Sequence, residues 1–380
     1  MLTYKYQYRC IGILIVFLCF STVVKSQEVP DQKSLMGRVI GVFKKSNYVI
    51  APIVAYKPIT SWQVGLGVKY LYRPKAYDTV KTRKSFIAAS AIYTLNNQIL
   101  VNPYFVHFFN EENYMLDGYY GFKKFPQNFY GLGNQSESSS AEVVSLNEIK
   151  VEQMGFRKVG EDWFAGIGFR TIGVFNVRQQ GDGILENTKL TGWAGFWSAG
   201  PTANVRLDSR DNILNARKGA YADVRLEFMQ RFDQKNNNYT LLKIDTRKYL
   251  TPFYNKRNVL AGQLFMQSSV KGNVPFTELA FVGSDFLMRG YYDRRYIDRH
   301  FLGGQLEYRH TLPYNFGFVV FGGLGDVTSR LDRFQMNEIK YSVGAGIRYL
   351  IIPKEDINIR FDFGIGKNSN TFYLSIAEAF

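Results

Sequence analysis

Residues 357–366 read Ile-Asn-Ile-Arg-Phe-Asp-Phe-Gly-Ile-Gly, and this stretch decides the fold. Its odd positions, Ile357, Ile359, Phe361, Phe363 and Ile365, are all large and apolar, whereas Asn358, Arg360, Asp362, Gly364 and Gly366 are polar or carry no side chain. Successive side chains of a strand point to opposite faces, so a period of two writes one greasy face and one polar or empty face. Outward from this stretch the pattern recurs. Tyr341, Val343, Ala345, Ile347 and Tyr349 stand against Ser342, Gly344, Gly346 and Arg348, and Trp62, Val64, Leu66, Val68, Tyr70 and Tyr72 stand against Gln63, Gly65, Gly67, Lys69 and Leu71. A soluble β-sandwich alternates too, but its strands average ~5–6 residues. Here runs of ten to fourteen residues end in Tyr, Trp or Phe on the apolar face, as aromatic girdles do at lipid interfaces. Backbone polar groups have no water to bond in lipid, so strands that face it must close on themselves. The expected fold is all-β, a transmembrane antiparallel β-barrel.

Sixteen periodic segments fit between 47–58 and 370–380, an even number that brings both ends of the barrel to one side. Some connections are very short, as at Pro58-Ile59-Thr60, while 123–142, 178–191 and 271–299 are long; the polar run 134–140 (NQSESSS) reads as a mobile part of the first of these. Long loops are where barrels place function. The first residues read as an address: Lys5 and Arg9 precede the apolar run 11–20, and Val24-Lys25-Ser26 supplies a cleavage point. The apolar run is too short for a membrane-crossing helix, which needs ~20 residues. The expected organisation is a signal peptide over 1–26, a short periplasmic segment over 27–46 and an outer-membrane barrel over 47–380.

Composition excludes several function classes. Both cysteines, Cys10 and Cys19, fall in the leader, and His107, His300 and His310 are scattered. Disulfide frameworks, Cys/His metal sites and cysteine nucleophiles therefore drop out of the mature chain. Removal of the leader takes Lys5, Arg9 and Lys25 but no acid, so the formal charge falls from +15 to +12. The remaining Lys and Arg alternate singly with apolar residues instead of forming a basic stripe, so no nucleic-acid partner is expected. A hydrolase would need Ser, His and an orienting group to converge. His310 lies on the lipid side by parity with Leu306 and Tyr308, and no nucleophile elbow is present. No catalytic residue, cofactor or metal site is expected.

The last third carries a more specific signal. Phe286-Leu287-Met288-Arg289-Gly290-Tyr291, then 303–313 (GGQLEYRHTLP) and 316–327 (FGFVVFGGLGDV), resemble the barrel of the BamA/TamA surface-antigen superfamily. In that family an Arg-Gly-aromatic motif at the tip of the sixth loop folds into the lumen and binds its wall. The resemblance assigns that motif to Arg289, Gly290 and Tyr291. Its first carboxylate partner would be Glu307, which shares a face with Gln305 and Arg309. The family's second partner, an Asp on the next strand, is missing because Gly323 occupies the position, and Asp326 lies on the other face. A simpler lock than the family norm follows. Read without the resemblance, Arg289 is a solvated surface charge. Upstream, Asp208, Arg210 and Asp211 in 207–219 (LDSRDNILNARKG) match the family's Asp-x-Arg-Asp turn, and they read equally as an ordinary polar turn. In the last strand, Phe372, Leu374, Ile376 and Phe380 share one face, interrupted by Glu378, and end in the aromatic that marks barrels for insertion; a strand that merely ends in Phe fits as well.

Family members that assemble or translocate proteins carry POTRA modules before the barrel, and 27–46 is too short for one. The resemblance implies a barrel of the insertion or translocation type, or an accessory subunit of that machinery. Its partners would be outer-membrane lipid and other outer-membrane or periplasmic assembly proteins, in the outer membrane of a Gram-negative bacterium. The mechanism would use a seam between 47–58 and 371–380 that opens to offer strand edges. The other reading is a passive pore, in which lumen-facing Lys69, Arg225, Arg348 and Arg360 favour anions. The loop 271–299 separates the two, since a pore needs it outside the barrel.

Overall fold

The computed structural model describes residues 47–73, 84–137, 141–180, 183–233, 237–252, 257–353 and 356–380. The expected signal peptide and the segment 27–46 lie outside the described residues. Twenty strands follow in chain order: β1 (Tyr48–Lys57), β2 (Ser61–Tyr72), β3 (Ser85–Thr94), β4 (Ile99–Val101), β5 (Tyr104–Phe109), β6 (Tyr114–Lys124), β7 (Gln127–Phe129), β8 (Glu142–Lys158), β9 (Trp163–Gln180), β10 (Phe196–Asp208), β11 (Gly219–Arg231), β12 (Asn238–Leu250), β13 (Asn258–Gly272), β14 (Ala280–Val282), β15 (Tyr296–Asp298), β16 (His300–Thr311), β17 (Phe316–Thr328), β18 (Lys340–Ile352), β19 (Ile357–Gly366) and β20 (Ser369–Ile376). β4 and β5 together make one stave between β3 and β6, and β7 prolongs β6 along β8. β14 and β15 form a separate ribbon within the long loop. The rest is a closed antiparallel barrel of sixteen staves, each paired with its neighbours in sequence and β20 returning to β1. Expected and observed strand ends differ by a few residues: β9 pairs on past its expected end at 177 to Gln180, whereas β10 begins at Phe196 instead of 192 and β20 ends at Ile376 instead of 380.

The burial pattern is inverted relative to a soluble sheet. On β19 Phe361 is 45% exposed whereas Asp362 is 0% exposed, so the apolar face looks outward and the charge looks in. Rings gather at the outer rim near the chain ends, where Tyr48 meets Tyr70 at 4.6 Å and Phe316 meets Tyr349 at 5.0 Å. Apolar residues outside and ionic residues within suit a wall bathed in lipid.

The interior is filled. At the end that carries the long loops, Val144 and Leu146 of β8, Ile172 and Val174 of β9, Phe196, Met229 and Leu241 pack around Phe129, Phe276, Leu279 and Ile297. A short helix, α1 (Ile184–Thr188), adds Leu185, whose N–H donates to Glu142 Oε2 at 3.1 Å. Each such fully buried side chain contributes on the order of 1.5–3 kcal/mol, so the loops are held inside by a small core of their own. The run expected to be mobile is anchored where it is described: Asn134 Nδ2 donates to Asp326 Oδ2 at 3.1 Å, Gln135 Nε2 to Glu338 Oε1 at 2.6 Å, and Arg295 to Ser136 Oγ at 2.9 Å. Its polarity serves these bonds to neighbouring loops; residues 138–140 lie outside the described residues.

Candidate functional site: a loop tip clamped in the lumen

The segment between β13 and β16 runs into the barrel. Its tip, Met288-Arg289-Gly290-Tyr291, is fully buried against the inner wall. What receives it is the empty face that the sequence shows on β19. A Cβ on Gly364 would sit 2.7 Å from the Arg289 carbonyl and the Gly290 nitrogen, and one on Gly366 would sit 2.4 Å from the Tyr291 ring. Gly290 itself has φ 119°, a conformation that L side chains rarely adopt, and an added Cβ would lie 2.8 Å from the Ile365 backbone. Bare backbone on both sides lets chain pack on chain.

Polar contacts complete the seat. Tyr373 Oη accepts the Gly290 N–H and donates to the Tyr291 carbonyl, both at 3.1 Å. The Tyr291 hydroxyl donates to the Tyr341 carbonyl at 2.8 Å and accepts the Lys367 N–H at 2.8 Å, while Ser369 Oγ donates to the Gly290 carbonyl at 2.7 Å. Ser342 Oγ donates to the Arg289 carbonyl.

The Arg289 guanidinium forks between two carboxylates. One amino group binds Glu307 Oε2, and the other binds Asp362 Oδ2 at 2.5 Å; the plane lies 3.6 Å from the Phe321 ring centroid. The sequence-based expectation of a simpler lock is thus corrected. Gly323 leaves the matching position of the neighbouring strand without an acid, and the second carboxylate comes instead from Asp362 on β19, 73 residues away in sequence. Asp326 meets Asn134 and lies 4.0 Å from Lys340.

Both acids are shared with the wall. Glu307 Oε1 accepts from Arg309 at 2.7 Å, Asp362 Oδ1 accepts from Arg348 at 2.5 Å, and Arg348 also holds Glu378 at 2.8 Å. Arg360 donates to Asp362 Oδ2 and to Asp285 Oδ2, each at 3.2 Å. Four guanidiniums face four carboxylates here. Arg225, the pore reading's third arginine, bonds Glu152 at 3.1 Å, and Lys69 lies 4.0 Å from the Phe86 ring centroid. Of the cations that sequence parity assigned to an anion-favouring lumen, Arg225, Arg348 and Arg360 are each paired with a carboxylate where the chain folds.

The network reaches the last residues. Phe372, Leu374 and Ile376 stay on the outer face, but Phe380 does not share it. Ala377 has φ 67°, which ends β20 and turns the chain inward, so Phe380 is 6% exposed and packs with Tyr249, Ala261 and Ala216. Its carbonyl accepts from Arg309 at 2.9 Å. Glu378, which alternation places on the apolar face, turns into the lumen for the same reason and accepts from Arg348 and Asn358. Beneath this mouth lies the turn 208–218. Arg210 grips Asp208 bidentately at 2.8 and 2.9 Å, and Asp211 Oδ1 accepts the Arg217 and Lys218 N–H groups at 2.9 and 3.2 Å. These residues order their own turn and do not reach Arg289. Among the described residues no group of His, Cys, Asp or Glu is arranged to hold a metal ion.

A second anchor escaped the sequence reading. Glu278, at a 3-10 turn (Phe276–Glu278), lies 2.5 Å from Arg170 of β9, which also binds Glu227 at 2.9 Å and Glu152 at 3.2 Å. Burial would raise the Glu278 carboxyl, but Arg170, Lys243 and Lys150 outweigh it and hold the group below its usual range. A lone Glu beside Phe276 carries no motif, so nothing local marks it.

Asp293, farther along the loop, behaves in the opposite way. Burial pushes its carboxyl up to about 7, assisted by Asp285 and opposed by Lys57 and Arg294, with the Tyr292 and Tyr373 hydroxyls nearby. A group that binds its proton more tightly in the docked loop than in the free chain stabilises docking at low pH, and this contribution fades as pH rises from about 4 to about 7. Protease resistance of the loop is expected to fall over that interval, and Asp293→Asn to flatten the dependence.

The comparisons with known proteins agree with this architecture. Residues 129–380 match the model of the Omp85 superfamily domain, a span that includes every residue of the clamp. The fold is similar to BamA from Haemophilus ducreyi lacking POTRA domains 1–3, with 12% identity, a TM-score of 0.56, and 88% of this chain and 70% of that one covered. It is also similar to CdiB from Acinetobacter baumannii (13% identity, TM-score 0.55, 87% and 59% covered) and to CdiB from Escherichia coli (9% identity, TM-score 0.55, 87% and 62% covered). No curated protein matches the chain by sequence. With a superfamily model matched over more than half its length and a sixteen-stave barrel of the same kind, the chain belongs to the Omp85 superfamily and is an outer-membrane β-barrel of that family.

Proposed function

We propose that this barrel acts without catalysis in the insertion or translocation of proteins, or as an accessory subunit of that machinery, by opening its wall between β1 and β20. The observation that carries the reading is the contrast between seams. β1 pairs with β2 over 10 positions and β19 with β20 over 8, whereas β1 and β20 share one register pair among the described residues, Tyr56 with Leu374. A wall with one weak seam can part there at low cost and present unpaired N–H and C=O groups to a substrate strand. The lumen-filling loop supports this reading over a passive pore, since sixteen staves otherwise enclose water. Arg289, Gly290, Tyr291 and Glu307 then serve as the lock of that loop, and the last strand as the element recognised when the barrel itself is inserted.

A covalent seam tests the proposal. Tyr56→Cys with Leu374→Cys places two thiols at directly opposed cross-strand positions, close enough for a disulfide, and the chain's own Cys10 and Cys19 fall in the expected leader. In cells that rely on this chain, oxidation is expected to depress the amount of other folded outer-membrane barrels, and reduction to restore it. Equal levels with the seam locked would rule out lateral opening.

A further inference from the structure

The single register pair at the seam leaves open what keeps it shut. Outside, Tyr56 of β1 stacks on Phe372 of β20 with centroids 3.9 Å apart and planes at 7°. Inside, one residue along, Lys57 Nζ lies 2.9 Å from Asp285 Oδ2. Asp285 belongs to the docked loop, not to the wall. The same oxygen accepts from Arg360 of β19 at 3.2 Å, and Arg360 also donates to the Asp285 carbonyl at 2.9 Å. One loop carboxylate therefore holds the first strand to the last-but-one strand, bypassing β20. The geometry points to Asp285 as a clasp that couples the loop to the seam: with the loop docked, Lys57 and Arg360 share one carboxylate and the wall stays closed; with the loop withdrawn, the two cations face each other and the edges part.

The charge arithmetic favours this over a passive surface pair. Lys57 and Asp285 are about three-quarters or more buried, with side chains 27% and 17% exposed, so screening by solvent is incomplete. Burial would raise the Asp285 carboxyl, yet Lys57 and Arg360 together hold it below its usual range, which marks it as the anion that both cations use. Asp293 sits close enough to Lys57 and Asp285 to feel both, and its Oδ1 has no hydrogen-bond partner. Asp285 is the carboxylate that Lys57 touches directly, at 2.9 Å, and the one that it shares with Arg360.

The inference rests on the reading that the seam opens, but its test is independent of any assembly phenotype. Spin labels at Val54 and Ile376, both exposed on the outer face, report the β1–β20 distance in the refolded full chain. Asp285→Asn keeps the shape of the side chain and removes its charge. The fraction of molecules with a widened seam is expected to rise roughly fivefold, the shift that a coupling of this class produces. Combining it with Lys57→Met, which removes the repulsion, is expected to bring the distribution back toward the parent. If Asp285→Asn does not refold, Lys57→Met alone reads the same contact, since Asp285 then keeps Arg360, and it should widen the seam to a smaller extent. An unchanged distance distribution in the folded variant overturns the clasp, whatever the locked-seam experiment shows; a widened seam with no assembly defect under the disulfide lock would leave the clasp standing and remove the proposed function.

Discussion

Replacing Arg289 by Ala is expected to cost about 3–5 kcal/mol of barrel stability, because it leaves Glu307 and Asp362 buried without their shared cation. The remaining arginines do not compensate fully. Arg309 already serves the Phe380 carbonyl, and Arg348 already serves Glu378. The measurement is the temperature at which the refolded barrel loses its compact form in detergent, alongside protease cleavage within 273–299. Arg289→Lys keeps the charge but loses the planar fork that addresses two carboxylates at once, so it should fall between parent and Ala. A double-mutant cycle with Asp362→Asn should be strongly non-additive, since the two groups act as one unit. Stability and loop protection unchanged in Arg289→Ala would mean that the tip is held by its backbone seat alone.

The second large effect concerns conduction. In planar bilayers the parent is expected to be nearly closed, and a variant in which residues 273–298 are replaced by a short turn is expected to carry a large, steady current. The join is feasible because the Ser269 N–H already donates to the Arg299 carbonyl at 2.9 Å, so β13 and β16 are neighbours at that level. Sixteen staves enclose a water-filled channel when nothing occupies them. Here Phe276, Leu279 and Ile297 form part of the packed core at the loop end, and Arg289 is bound to the inner wall at β16 and β19. A parent that conducts steadily, with no change on deletion, would mean that the loop does not seal the lumen in the membrane and would restore the porin-like reading.

The two predictions separate two kinds of restraint. Arg289→Ala weakens one attachment and leaves Glu278, Asp285 and the apolar core in place, so it should destabilise the loop more than it opens the pore. Deletion removes every attachment together. If the single substitution opened the pore as fully as the deletion, the Arg289 clamp would be the dominant hold and the second anchor at Arg170 a minor one.

The amino-acid sequence alone determined the wall of this protein. Period two is a local quantity, written in each strand by the choice of outward Ile, Phe, Val and Tyr against inward Asn, Arg, Asp and Gly, and it was enough to read a closed sixteen-stave barrel with Glu307 facing inward and the lumen-facing empty positions of β19. Parity says which face a residue occupies, but it carries no information about which inward residues meet across the barrel. That depends on closure, on stagger and on the path of the loop. Only the tertiary structure therefore paired Arg289 with Asp362, brought Glu278 to Arg170, and used one positive φ at Ala377 to turn Glu378 and Phe380 away from the face that alternation assigned them. The same reason explains the seam: the strength of contact between β1 and β20 depends on register between the two ends of the chain, the most distant pairing in sequence and the one about which local pattern says least.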